Sequence, residues 1–158
     1  MKIMFSAGEA SGDLHGATLA AAIRRLDPEA DLIGFGGPQM AAAGVRLAAD
    51  MRDYSVMGFW EVLLNLRRMF RLRDQLTAFM AAERPALLVL IDYPDFNWRL
   101  AAAAKKLGIP VFSYIPPSAW AWRKGRAKKC AALADELVAI FPFELPVYEA
   151  AGAKISFQ

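Results

Sequence analysis

Residues 86–91, Ala-Leu-Leu-Val-Leu-Ile, are apolar at every position and then run straight into Asp92. A strand with one wet face alternates apolar and polar residues. A strand with no polar position is buried on both faces, as in the middle of a parallel sheet covered above and below. Parallel neighbours need long crossover connections, and helical patterns flank the run at the right spacing. Residues 2–7 read as a first strand. A helix over 11–26 follows, with Leu19, Ala22, Ile23 and Leu26 on one face and Asp27-Pro28 as its stop. Residues 31–37 are a second strand, Pro38 opens a short helix that Gly44 ends, and 45–50 are a third strand. A long helix over 58–82 precedes the central strand. A helix over 96–108 follows it, with Lys105 and Lys106 in the last turn and Gly108 as its stop. Strands at 109–115, 136–141 and 153–157 alternate with helical patterns in 120–134 and 144–152. The expected fold class is α/β: a Rossmann-like parallel sheet with helices on both faces, as one domain over 1–158.

Composition narrows the function classes. The chain has 158 residues, 56% hydrophobic and 22% charged, enough apolar material for a substantial core. A net charge of +3 with no long Lys/Arg block gives no surface that tracks a phosphate backbone, so no nucleic-acid partner is expected. The single cysteine, Cys130, excludes an internal disulfide and a cysteine-rich metal site. No metal or cofactor is expected, and a reducing cytoplasm fits. The N-terminal apolar run is too short for a signal peptide, and no stretch reaches membrane-spanning length. The strand opened at 153–157 meets Gln158 at once, which predicts that the chain is part of something longer.

In open parallel sheets, ligands bind beyond the carboxyl ends of the strands. Three polar loops are expected there. The first, "GEASGD", holds Gly8, Glu9, Ser11, Gly12 and Asp13. Its glycines permit a tight strand-to-helix turn, and Ser11 or Asp13 can cap the helix. Its N–H groups can equally bind a phosphate or sugar oxygen. The glycine spacing matches neither a dinucleotide fingerprint nor a Walker loop. The second, "DYPDFN", holds Asp92, Asp95 and Asn97. A carboxylate at the tip of a buried strand is partly desolvated and suits a general base, so Asp92 is the candidate catalytic residue. Asp95 reads as a helix cap or orienting group, and Asn97 as a hydrogen-bonding partner of a hydroxyl or of the helix start. The third, "PPSAWAWR", offers Ser118, the rings of Trp120 and Trp122 for a sugar or acyl chain, and Arg123 for a phosphate; two core tryptophans are the alternative.

The helix over 58–82 carries Phe59, Trp60, Leu63, Leu66, Met69 and Phe70 on a broad apolar face, with Arg67, Arg68 and Arg71 beside it. Such a face either packs on the sheet or lies on an anionic bilayer. His15, the only histidine, reads as solvated or capping, and Cys130 as structural.

Five segments occur together in register: "GEASGD", "VMGFWEVL" (56–63), "IDYPDFN" (91–97), "PPSAWAWR" (116–123) and "FPFE" (141–144). In order and spacing they resemble the N-terminal half of the lipid-A-disaccharide synthases. Pro116 stands where that family usually has Ser, and Ala119 where it often has Val. The resemblance implies the N-terminal, acceptor-side domain of a GT-B glycosyltransferase, with a C-terminal UDP-sugar-binding domain outside this chain. It implies UDP-diacylglucosamine and diacylglucosamine phosphate (lipid X) as substrates. Lipid A disaccharide phosphate and UDP would be the products, formed without a metal and with inversion. It also implies peripheral association with the cytoplasmic face of the inner membrane and a full-length enzyme able to form a homodimer. This fragment alone is expected to be inactive. By their residues alone, the same loops also suit a non-catalytic α/β module for lipid or nucleotide, or a GT-B transferase for another UDP-sugar.

Overall fold

The computed structural model describes residues 1–54, 59–116 and 124–157, and the side chains of 59–64 and Lys124 lie outside that description. Seven parallel strands form one sheet: β1 (Lys2–Ala7), β2 (Asp31–Gly36), β3 (Arg46–Asp50), β4 (Leu87–Ile91), β5 (Val111–Tyr114), β6 (Glu136–Ala139) and β7 (Ile155–Phe157). Their order is β3-β2-β1-β4-β5-β6-β7. The connecting helices are α1 (Ala10–Leu26), α2 (Pro38–Ala42), α3 (Phe59–Glu83), α4 (Pro94–Lys106), α5 (Lys124–Leu133) and α6 (Leu145–Ala150).

The central run behaves as its composition requires. Leu88 and Leu90 join the core under α3 and α4, with Leu72, Leu76, Met80 and Leu100. Val89 and Ile91 point the other way, into the core with Phe5, Ala20 and Met40 on the α1 and α2 side. Period-two alternation therefore buries every position from Leu88 to Ile91, because both faces are covered there. A third cluster, Ala127, Cys130, Leu137 and Tyr148, fills the space between β6, α5 and α6. Cys130 is structural there: it accepts a hydrogen bond from Trp98 Nε1 at 3.2 Å, and burial pushes its thiol pKa up.

The chain runs outward in both directions from the β1–β4 pair. From β1 it moves to β2 and β3 on one side, then returns to place β4 on the other. This reversal leaves a crevice at the carboxyl ends of β1 and β4, the switch point where ligands bind in doubly wound sheets. The register aligns Ala7 with Ile91, so both strands end level. Gly8 and Asp92 therefore leave the sheet side by side.

Boundaries shift by a few residues from the sequence reading. The helix after the central strand begins at Pro94 rather than at residue 96, because Pro94 fits the first helical position with its fixed φ and absent N–H. The seven-strand parallel sheet with helices on both faces is otherwise the one expected, including the third strand.

Candidate active site

At the end of β4 the turn into α4 is made by two non-glycine residues in the left-handed region, Asp92 at φ +46° and Tyr93 at φ +52°. Ile115, at the end of the adjacent β5, has φ +59°. Such residues cost roughly 1–3 kcal/mol each and persist only where their surroundings fix them. Here the fixing group is Asn97. Buried on α4, it donates from Nδ2 to the carbonyls of Asp92 at 2.6 Å, Ser6 at 3.2 Å and Ile91 at 3.4 Å. Its Oδ1 accepts the Ser6 hydroxyl at 2.6 Å. The Asp92 N–H donates to Ile115 O at 3.2 Å. Asn97 thus ties β1 to the turn that presents Asp92. Of the two readings of Asn97, a hydroxyl partner or a support of the helix start, these bonds favour the support, with the amide engaged below the rim.

Asp13 is corrected as well. It is 2% exposed, and its carboxylate accepts N–H groups from Gly37 at 2.9 Å, Gln39 at 3.0 Å and Met40 at 2.9 Å. Expected as a cap for its own helix or a substrate contact, it instead caps α2 across the fold. Its own helix starts at Ala10, with Glu9 at the cap position and no side-chain cap bond. Asp95 does not cap α4 either. It is exposed in the first turn, and Tyr93 occupies the cap position. Gly8 has a packing reason: a Cβ there would come within 2.3 Å of the Tyr93 ring, which lies against its backbone.

The remaining candidates divide between two cavities. One, of about 250 Å³, is lined by Ser11, Gly12 and His15 of α1, by Asp92, and by Ile115, Phe141 and Glu144. The other, of about 360 Å³, is lined by Glu9, Tyr93, Asp95 and Arg99 together with Leu66, Met69 and Phe70 of α3. Glu9 and Asp95 are therefore separated from Asp92 and grouped with the apolar end of α3. Burial, helped by the nearby Glu9 carboxylate, pushes the Tyr93 phenol pKa up.

On α3, Leu66 is 51% and Phe70 40% exposed, and Arg67 is exposed. Phe70 lies between two guanidinium groups, Arg73 at 5.1 Å and Arg99 at 5.2 Å from its ring centre. Met69 instead packs against the core under α3 and takes a weak contact from the Tyr93 hydroxyl at 3.9 Å. It does not belong to an outward docking face. The side chains of Phe59, Trp60 and Leu63, and the loop with Ser118, Trp120, Trp122 and Arg123, lie outside the described residues.

Two residues of the Asp92 cavity are not expected there from the sequence, which reads His15 as solvated or capping and Glu144 only as part of the "FPFE" segment. His15 is drawn in because it sits one turn after Ser11 on the same face of α1, where it meets the Tyr114 ring edge-on at 6.5 Å. Spacing of four from Ser11 was the available signal. Glu144, 2% exposed, arrives from the end of β6, more than fifty residues from Asp92, and only the fold brings it there.

A family model described as Lipid-A-disaccharide synthetase matches residues 3–157. The chain belongs to the lipid-A-disaccharide synthase family. The enzyme of that name from Geobacter metallireducens is 47% identical over 156 residues, covering 99% of this chain and 41% of its own length. The one from Syntrophus aciditrophicus is 48% identical over 155 residues, covering 98% and 40%. The chain thus spans about two fifths of these lipid-A-disaccharide synthases. Among solved structures, MurG of Acinetobacter baumannii superposes with a TM-score of 0.64 at 12% identity, over 99% of this chain and 44% of that one. A UDP-GlcNAc 2-epimerase from Neisseria meningitidis gives 0.66 at 11%, over 99% and 46%. At such identities the likeness is one of fold. The sheet is that of a GT-B N-terminal domain.

Proposed function

We propose that the full-length protein carrying this chain transfers the glucosamine unit of UDP-diacylglucosamine to diacylglucosamine phosphate (lipid X), giving lipid A disaccharide phosphate and UDP. This chain supplies the acceptor side, and a second Rossmann-like domain holds most of the nucleotide sugar. The observation that carries the reading is the placement of Asp92 on a strained, Asn97-braced turn at the switch point, facing a cavity sized for one sugar ring. In the reaction, Asp92 takes the proton of the attacking acceptor hydroxyl. The freed oxygen forms the new bond to the anomeric carbon from the face opposite UDP. UDP leaves with the electron pair of the broken bond, so the configuration inverts.

Ser11 and Gly12 border the same cavity in the first turn of α1, whose N–H groups lack intrahelical acceptors and suit an oxygen ligand. The neighbouring cavity has apolar walls from Leu66, Phe70 and Phe96, and suits an acyl chain leaving the sugar toward a membrane. Among the described residues no helix is long and apolar enough to cross a membrane. The proposed attachment is peripheral, at the cytoplasmic face of the inner membrane, through Leu66, Phe70 and the Arg67 side of α3.

Asp92→Asn is the direct test, because asparagine tolerates a positive φ as aspartate does while losing the base. The expected result is a 10²–10⁴-fold fall in kcat at an unchanged melting temperature. Turnover within a few-fold of the parent removes Asp92 from the mechanism. His15 supports a second reading, since an imidazole in the same cavity can also take a hydroxyl proton. A loss in His15→Asn as deep as that in Asp92→Asn would transfer the role of base to His15.

A further inference from the structure

Glu144 is a buried acid whose carboxyl has one local partner, the backbone N–H of Phe141 at the start of its own turn. β6 ends at Ala139, and a 3₁₀ turn, Pro142–Glu144, leads into α6. The Glu144 N–H closes this turn onto Phe141 O at 3.1 Å. Outside the turn, Phe141 and Phe143 stack with ring centres 5.2 Å apart, and both are about half exposed. The hydrophobic rings are thus at the surface while the acid that follows them in the sequence is inside. Glu144 stands at the cap position of α6 yet makes no side-chain cap bond. Among the described residues it joins no ion pair. What it does border is the 250 Å³ cavity, together with Asp92, His15 and Ser11.

A carboxyl that is buried without a cation is favoured in its neutral form. Burial holds the Glu144 carboxyl above the usual carboxylate range, against the opposing effect of the Phe141 backbone. A neutral carboxyl has an O–H to donate, which a carboxylate lacks. The cavity is smaller than the roughly 300–1,000 Å³ of sites that enclose drug-sized ligands, so it takes one ring rather than a lipid. Whatever ring fills it must present its reacting hydroxyl to Asp92 and another face to Glu144.

We propose that Glu144 is a substrate-binding residue of this cavity, its carboxyl O–H donating a hydrogen bond to an oxygen of the acceptor sugar whose attacking hydroxyl faces Asp92. The proposal rests on reading this cavity as the acceptor site. It also accounts for the pattern of the "FPFE" segment, in which Phe143 is half exposed, Phe141 borders the cavity while staying half exposed, and Glu144 is the buried residue. The titratable and charged groups around Glu144 are His15 on α1, Asp92 at the β4 rim, Tyr148 one turn along α6, and Cys130 and Arg126 on α5 behind that tyrosine.

The experiment uses the full-length enzyme with saturating UDP-diacylglucosamine and varied diacylglucosamine phosphate. The parent, Glu144→Gln, Glu144→Ala and Asp92→Asn are compared, and the acceptor KM is followed against pH. Glu144→Ala is expected to raise the acceptor KM about tenfold with little change in kcat, and Glu144→Gln, a neutral donor of the same shape, to recover most of that loss. In the parent the acceptor KM should climb as pH rises through the raised Glu144 pKa, and in Glu144→Gln that climb should vanish. Both proteins keep His15 and Asp92, so the difference isolates Glu144. An unchanged KM in a folded Glu144→Ala overturns the proposal, as does a Glu144→Gln as impaired as Glu144→Ala. Where Glu144→Ala does not fold, the pH profile of Glu144→Gln decides: a climb identical to the parent's overturns it. Asp92→Asn reports on kcat separately, so normal turnover there sinks the base assignment and leaves the Glu144 result to be judged on its own.

Discussion

Two aspartates and a glycine in neighbouring loops show how differently similar residues are used. Asp92 faces a cavity, while Asp13 is buried and spends its carboxylate on three backbone N–H groups at the start of another helix. Asp13→Ala leaves those buried N–H groups unpaired and should cost about 3 kcal/mol, read as a drop in the denaturant midpoint at unchanged m. Gly8→Ala forces a methyl to within 2.3 Å of the Tyr93 ring. The expected cost is about 1–3 kcal/mol, with displacement of the Asp92 turn and a fall in kcat. A Gly8→Ala protein as stable as the parent would show that the ring moves freely. The position of Asp92 at the rim was legible in sequence, because an acid that ends an all-apolar strand leaves the sheet at that strand's tip. The role of Asp13 was not. Its partners lie 24 to 27 residues away, and nothing local distinguishes a cap for its own helix from a cap for another.

At the level of the element, α3 changes its surroundings along one helix. Its C-terminal half buries Leu72, Leu76 and Met80, one residue per turn, against β1, β2 and β4. Leu76→Ala should therefore destabilise by about 2–5 kcal/mol. Further toward its N-terminus, Leu66 and Phe70 turn away from that stripe, so Phe70→Asp should leave the melting temperature within a few degrees of the parent. In a flotation assay with anionic vesicles, the same variant should lose binding that the parent shows at low salt and loses at high salt. Retention of vesicle binding in Phe70→Asp would remove this face from membrane attachment. The helix itself was legible from its period. Its rotation was not: Met69 and Phe70 are adjacent in sequence and similar in hydropathy, and only the position of the sheet decides which one turns inward.

For the whole molecule, one buried acid predicts how stability depends on pH. The Glu144 pKa is higher in the folded protein than in the unfolded chain. Its contribution is therefore fully present below the unfolded glutamate value and is lost as pH rises through the folded one, because the unfolded chain ionises first. Melting curves of the parent should show this loss on the alkaline side of the ordinary glutamate pKa, and Glu144→Gln should be flatter across the same window. Equal slopes would mean that the site admits water freely enough to solvate the charge.

The sequence by itself determined the class of fold and the rim of the sheet at which the polar loops gather. Apolar runs, helix stops and glycines are short-range signals, and a strand buried on both faces leaves few architectures open. It also determined that an acid stands at the tip of the central strand. Tertiary structure decided which loop residues share a cavity. It joined Asp92 with His15 and Glu144, moved Glu9 and Asp95 to the apolar end of α3, and assigned Asn97 and Asp13 to holding backbone. The physical reason is the parallel topology. Each crossover carries the chain out of the sheet and back, so residues that meet at the rim are separated by whole strand–helix units, and no local pattern records their meeting.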